Sequence, residues 1–141
     1  MPTKADPALM ASELRVVLGQ LVRRLRQQHG FPLAHGAVLG RLDREGPQSV
    51  SDLAASERVR PQSMAQTVGD LETDGLVDRT PDPGDRRRAL VELTARGREV
   101  LAADRARRDG WLASAIADDL SPEEQDVLLA AIGLLREIAE S

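Results

Sequence analysis

Cysteine is absent from the 141-residue chain, which removes disulfide bonds, thiolate metal sites and thiol-based redox sensing together. Aromatic residues are almost as scarce. Phe31 and Trp111 are the only two, so any core must be built from Leu, Val, Ile and Ala. The histidines are His29 and His35, and the carboxylates near them do not fall at ligand spacing, which argues against a metal site. No apolar run approaches the roughly 20 residues that a membrane span requires, and the segment Met1–Asp6 lacks the apolar stretch of a secretory signal. Nor is there a nucleophile paired with a base, a glycine loop to cradle phosphate, or a pair of catalytic carboxylates. These absences lead us to expect a cytoplasmic protein with no membrane association, no cofactor and no enzymatic activity.

What is present suits one domain, or one domain with helical extensions, since 15.3 kDa with 41% hydrophobic residues can form a single core. The formal net charge of −4 points away from nucleic acid until its distribution is considered. Arg79, Arg86, Arg87, Arg88, Arg96, Arg98, Arg105, Arg107 and Arg108 crowd one stretch. From Asp118 onward, Asp118, Asp119, Glu123, Glu124, Asp126, Glu137 and Glu140 are opposed by Arg136 alone. DNA senses charge within about one Debye length, roughly 8–10 Å, so a distant acidic segment weakens a basic face little.

Apolar periodicity marks the helices. Leu14, Val17, Leu18, Leu21, Val22 and Leu25 form one stripe of a first helix over about Pro7–His29, closed by Gly30. A second helix, about Ala34–Arg44, turns Val38, Leu39 and Leu42 inward and stops at Gly46 and Pro47. Ser49 with Asp52 resembles a capping box for a third helix ending near Glu57. After the turn Arg58–Arg60, Pro61 opens a fourth helix at the position where its missing N–H costs nothing, and Gly75 ends it. Thr94 caps a long helix over about Ala95–Ala117, weakened locally at Gly110. Ser121, Pro122 and Glu124 then carry the full signature of a capped helix start.

Two short helices joined by a tight turn are a DNA-binding unit whose second member enters the major groove. Directly after them, Leu76–Thr80 and Ala89–Leu93 read as strands flanking a turn built on Pro81, Asp82, Pro83 and Gly84. That turn carries Arg86, Arg87 and Arg88. Alone, such a triplet is usually a solvated charge run; after a helix-turn-helix it reads as the wing of a winged helix. The expected fold is therefore mainly α with a small two- to three-stranded β wing, between N- and C-terminal dimerisation helices. The terminal helices, with the stripe of the first and Val127, Leu128, Ala131, Ile132, Leu135 and Ile138 of the last, lie outside that small core. Apolar faces of this size would be a liability if left bare, and a two-fold homodimer with interdigitated helices buries them. The expected division is 1–32 for the first dimerisation helix, 33–94 for the winged helix and 95–141 for the remaining dimerisation helices.

At this point the sequence resembles the MarR family of transcriptional regulators over nearly its whole length. Leu33 to Leu39 is similar to the family's second helix, with His35 where Gln is common. Leu53, Ala54 and Val59 match its helix-turn-helix core, and Pro61 to Met64, Leu71, Glu72 and Gly75 to Val77 match the recognition helix and its exit. The specific match is the wing, Asp82 to Arg87 followed by Leu93, Thr94 and Gly97. The resemblance implies a dimer on an inverted-repeat operator in double-stranded DNA, usually a repressor. It also implies release by a small, often phenolic or anionic effector bound between the dimerisation helices and the winged helix. It further implies that Arg87 enters the minor groove, oriented by Asp85, where a narrow groove concentrates negative potential. From residue chemistry, Arg86 and Arg88 suit phosphates. Pro61, Gln62, Ser63 and Gln66 lie outward on the fourth helix, where Gln and Ser can read bases. Arg60 and Ser51 are lesser candidates for backbone contacts. His35 suits either a cleft or a plain helix start, and Trp111 the core or a dimer interface. A winged-helix module for protein partners, and a regulator without a ligand, stay open at this stage.

Overall fold

The computed structural model describes residues 5–141 and contains six helices and two strands. The first four residues of the segment Met1–Asp6 discussed above lie outside the described residues. In chain order the elements are α1 (Pro7–Arg26), α2 (Leu33–Glu45), α3 (Val50–Glu57), α4 (Pro61–Thr73), β1 (Val77–Asp82), β2 (Asp85–Leu93), α5 (Ala95–Asp119) and α6 (Pro122–Ala139). The architecture is mainly α with a small antiparallel β wing.

Helix starts follow the capping chemistry. Asp6, Ser49, Thr94 and Ser121 each accept a backbone N–H of the first turn, at 3.0–3.1 Å. At Ser121 the box is reciprocal, because Glu124 Oε1 also accepts the Ser121 N–H at 2.9 Å. Helix α1 ends at Arg26, short of the expected His29. Its last turn tightens into i→i+3 bonds, with Gln28 and His29 donating to Leu25 and Arg26. Helix α5 runs through Gly110 without interruption to Asp119.

The hairpin differs from the sequence expectation. Its strands reach almost to the tip, where Asp82 Oδ1 accepts the Gly84 N–H at 2.9 Å. The pairing register jumps from Pro81 opposite Ala89 to Asp82 opposite Asp85. Arg86, Arg87 and Arg88 therefore lie in β2 rather than in the turn, and they have no partner residue on β1. Pro81 cannot donate to a ladder, and a bulge is where a strand tolerates it. A one-residue bridge, Gln48 with Val91, adds a rudimentary third strand.

The core is aliphatic apart from Met64. Val38, Leu39 and Leu42 of α2 pack with Leu53 and Ala54 of α3, Met64, Val68 and Leu71 of α4, and Val77, Val91 and Leu93 of the sheet. Helix α5 contributes Leu101. Its first turn presses on the base of the wing. Thr94 Oγ1 donates to the Gly75 carbonyl at 2.7 Å, and the Thr94 N–H donates to the Leu76 carbonyl at 3.1 Å. A Cβ at position 97 would collide with that Leu76 carbonyl, so only glycine allows this approach.

A second joint is polar. Asp104 of α5 is fully buried and reaches the connector after α1. It accepts the Gly30 N–H at 2.9 Å, and His29 Nδ1 lies 2.9 Å from its other oxygen. Arg107 donates to it at 3.3 Å, and Arg108 Nε stands 3.2 Å away. Burial pushes the Asp104 carboxyl up, but the bonds from Gly30, His29 and Arg107 outweigh it and hold the group below its ordinary value. Helices α1 and α6 contain no fully buried residue. Val127 and Leu129 of α6 are 70% and 71% exposed, which leaves large apolar faces bare in the single chain.

Replacing Asp104 with Ala strands the Gly30 N–H and removes the carboxylate beside Arg108. We expect a loss of about 1–3 kcal/mol in chemical denaturation, with Asp104→Asn intermediate because its carbonyl can still accept from Gly30. The lowered folded pKa also sets the acid limb. The contribution is complete above the ordinary carboxylate range and is lost as pH falls through the lowered value. The Asp104→Asn protein should therefore show a shallower loss of stability below about pH 4 than the parent.

Candidate nucleic-acid interface

Helix α4 separates two faces by its periodicity. Met64, Val68 and Leu71 point into the core, and Pro61, Gln62, Ser63 and Gln66 are exposed on the other side. Pro61 occupies the first turn, and Arg60 stands at the N-cap without a side-chain capping bond. The helix carries no basic residue, so its surface offers amides, hydroxyls and two acids, Asp70 and Glu72. Cations stand at its border instead. Arg60 is exposed there, and so is Arg58, which closes α3 with φ 55°, the only positive φ outside glycine among the described residues. Holding a non-glycine residue in this left-handed region costs about 1–2 kcal/mol, and here it allows the tight turn between α3 and α4.

The three wing arginines divide into two kinds. Arg86 and Arg87 are exposed and form no ion pair among the described residues. Asp85 reaches Arg87 through the main chain, with Asp85 Oδ1 accepting the Arg87 N–H at 3.0 Å. It thus fixes the backbone from which the guanidinium projects, rather than pairing with the guanidinium itself. Arg88 is engaged inside the protein. It donates to Ser49 Oγ at 2.8 Å and to Asp52 Oδ2 at 2.7 Å, and its Nε lies 4.0 Å from Asp82 Oδ2. One guanidinium thereby ties β2 to the start of α3 and to the wing tip.

Sequence reasoning assigned Asp52 to the cap of α3 and missed this role. A box partner needs the length of Glu or Gln to reach back to the N-cap; Asp is one methylene shorter, which leaves its carboxylate free for Arg88. That shortness was the available signal. Asp104 was missed as well, since nothing in the charged middle of α5 separates a buried acid from its solvated neighbours. Ser51 is exposed near the start of α3. His35 lies against α4, its Nε2 3.7 Å from Asp70 Oδ2. Trp111 is half-buried, with Arg24 of α1 5.3 Å above its ring.

Between α2, α5 and the connector is a polar cavity of about 140 Å³, lined among others by His29, Phe31, Arg44, Asp104, Arg105 and Arg108. Arg105 spans this region to Asp43 of α2 at 2.9 Å. No group of three or more potential metal ligands occurs among the described residues. None of the helices is long and apolar enough to cross a membrane among the described residues.

Comparison with known proteins agrees with this geometry. The sequence profile of the MarR family matches residues 29–88. An uncharacterized HTH-type transcriptional regulator of Mycobacterium bovis is 37% identical over 131 residues, which cover 91% of each chain. A crystal structure of a Pseudomonas aeruginosa protein assigned as a transcriptional regulator is similar with a TM-score of 0.84 at 36% identity, over 99% of both chains. A mutant of S. aureus MepR, bound to an oligodeoxyribonucleotide, is alike in fold, with a TM-score of 0.70 at 19% identity over 92% of this chain and 96% of that one.

If Arg88 is a brace, Arg88→Ala should loosen the wing without unfolding the core. Amide hydrogen exchange over residues 85–91 should accelerate by about fivefold, equivalent to about 1 kcal/mol, while the amides of α4 keep their protection. Arg88→Lys should restore it only in part: one ammonium has donors enough for Ser49 and Asp52, which share a single guanidinium nitrogen in the parent, but it lacks the Nε that faces Asp82.

Proposed function

The chain belongs to the MarR family of winged helix-turn-helix, DNA-binding transcriptional regulators, and we propose that it acts as a homodimeric repressor on an inverted-repeat operator in double-stranded DNA. The observation that carries this reading is the division of charge across the exposed face of residues 58–88. A reading helix that carries no basic residue is bordered by arginines, Arg58, Arg60, Arg86 and Arg87, that have no ion-pair partner among the described residues. In this reading Pro61, Gln62, Ser63 and Gln66 face base edges in the major groove. Arg60 and Arg86 meet phosphates on either side, and Ser51 adds a contact from α3. Arg87 enters the adjacent minor groove from a backbone that Asp85 holds. Arg88 serves by fixing the angle of the wing, since its guanidinium is already occupied.

Residues 33–94 form the reading head, and α1, α5 and α6 pair with a second copy. The apolar faces of α1 and α6 support this pairing: Leu9, Met10, Val17, Val127, Leu134 and Ile138 are all exposed in one chain. The effector is a small anion in the cavity between α2 and α5. Arg44, Arg105, Arg108 and His29 line it against one carboxylate, Asp104, and a space of about 140 Å³, below the roughly 300–1,000 Å³ of ordinary ligand pockets, restricts the effector to a small ion. With only the Phe31 ring and the His29 imidazole, already bonded to Asp104, as aromatic walls, the cavity offers little to stack a phenol.

Titration of labelled DNA from upstream of the protein's own reading frame, with random DNA as competitor, tests the reading. Binding should resist the competitor and weaken steeply as salt rises from 50 to 200 mM (about a thousandfold or more if six or more phosphates are neutralised). Arg87→Ala should cost roughly 1–3 kcal/mol of operator binding with unchanged thermal stability. In light scattering the intact chain should have twice the mass of one protomer, and a chain cut before Ser121 should aggregate. A soluble monomer from that truncation would overturn the paired-helix assembly.

A further inference from the structure

We infer that Asp70 is a positioning residue for base reading: it holds the side-chain amide of Gln66 so that the Gln66 carbonyl oxygen, rather than its NH₂ group, faces the DNA. The inference rests on the proposed placement of α4 in the major groove and goes beyond it by naming which atom of Gln66 reads.

Gln66 and Asp70 are one helical turn apart, and Gln66 Nε2 donates to Asp70 Oδ1 at 3.2 Å. The second carboxylate oxygen, Asp70 Oδ2, lies 3.7 Å from Nε2 of His35 on α2. His35 is largely buried, with 15% of its side chain exposed, so it offers a stationary neighbour to a half-exposed acid. Asp70 is therefore placed between a largely buried side chain of α2 and the exposed amide of the reading helix.

An acid here needs a reason. Helix α4 has no basic residue to neutralise it, and a carboxylate beside DNA repels phosphate whatever the sequence. Its compensation is orientation. A glutamine amide presents either two N–H donors or a carbonyl acceptor, and the two ends are interchanged by a half-turn of one soft torsion. Left free, it accepts several bases. With NH₂ bound to Asp70, the outward atom is Oε1, an acceptor, with one N–H left over. In the major groove adenine offers the N6 donor and the N7 acceptor, and cytosine the N4 donor. Guanine and thymine present only acceptors there. The bound amide suits adenine best and cytosine next, and it disfavours the other two, whose acceptors can meet the remaining N–H but leave Oε1 without a donor.

The test is selection from a random DNA library followed by titration of the selected site and its single-base variants, for the parent, Gln66→Ala, Asp70→Ala, Asp70→Asn and the double alanine variant. Circular dichroism confirms that each is folded, and alanine at an exposed helical position favours the helix. The parent should select adenine or cytosine at one position per half-site. Asp70→Ala should lower discrimination at that position by about tenfold while tightening binding to random DNA several-fold, as a phosphate-repelling charge is removed. Asp70→Asn keeps an acceptor for the amide, and should retain most of the discrimination while still gaining affinity for random DNA. In the Gln66→Ala background, removing Asp70 should change discrimination no further. Full discrimination by Asp70→Ala, where Gln66→Ala has lost it, would overturn the inference alone. Additive losses in the double variant would do the same. Unchanged preference in Gln66→Ala would remove both the inference and Gln66 as a reader.

Discussion

A buried carboxylate is the constraint around which this chain is arranged. Asp104 lies within α5 at zero exposure, and its bonds end on the segment between α1 and α2. It pins the connector between the first helix and the second to α5. Burying a charge is tolerable only when it is paired and hydrogen-bonded, and here a backbone N–H, an imidazole and the Arg107 guanidinium bond it while Arg108 stands at ion-pair distance. Removing any one of them weakens the others. The Gly97 contact is the apolar counterpart, where the start of α5 touches the chain leaving α4 with no room for a side chain. Between these two joints the long helix is fixed to the reading head at both the wing and the connector.

Electrostatics explains how an acidic protein can carry a basic face. Every cation at the edge of α4 is an arginine, and the acids close to them are committed. Asp52 and Asp82 attend Arg88, Asp85 holds a main-chain N–H, and Glu72 lies 3.3 Å from Arg79. Arg86 and Arg87 have no ion-pair partner among the described residues, because Asp52 and Asp82 face Arg88 and Asp85 turns to a main-chain N–H. A charge count along the chain cannot express this, since it treats Arg87 and Arg88 alike although one is free and the other is bound.

Local chemistry was the legible part of the sequence. Pro61 and Ser121 marked helix starts because a missing N–H and a short hydroxyl act within one turn, and the aliphatic stripes of α2 and α4 identified the inward residues directly. The wing was legible as a hairpin. Its length was not, because strand extent depends on pairing, and the register jump at Pro81 displaces three residues that read as a turn. The long-range polar contacts were the least accessible. Arg88 meets Asp52 across 36 positions and His29 meets Asp104 across 75, distances at which periodicity and capping rules are silent. At the reading face the candidate residues were recognisable by type and helical phase, whereas the Gln66–Asp70–His35 arrangement required knowing how α2 lies against α4.

The scarcity of aromatic rings gives the molecule an unusual optical simplicity. Trp111 is the sole indole and there is no tyrosine, so its near-ultraviolet emission arises from one place, the groove where α5 meets Arg24 and Leu21 of α1. The reading head is dark by comparison. A fluorescence change therefore speaks for the helices beyond the winged unit and for nothing else. A protein of this composition reports on its own α1–α5 seam without a label, while events confined to α4 or the wing pass unseen unless they are transmitted to that seam.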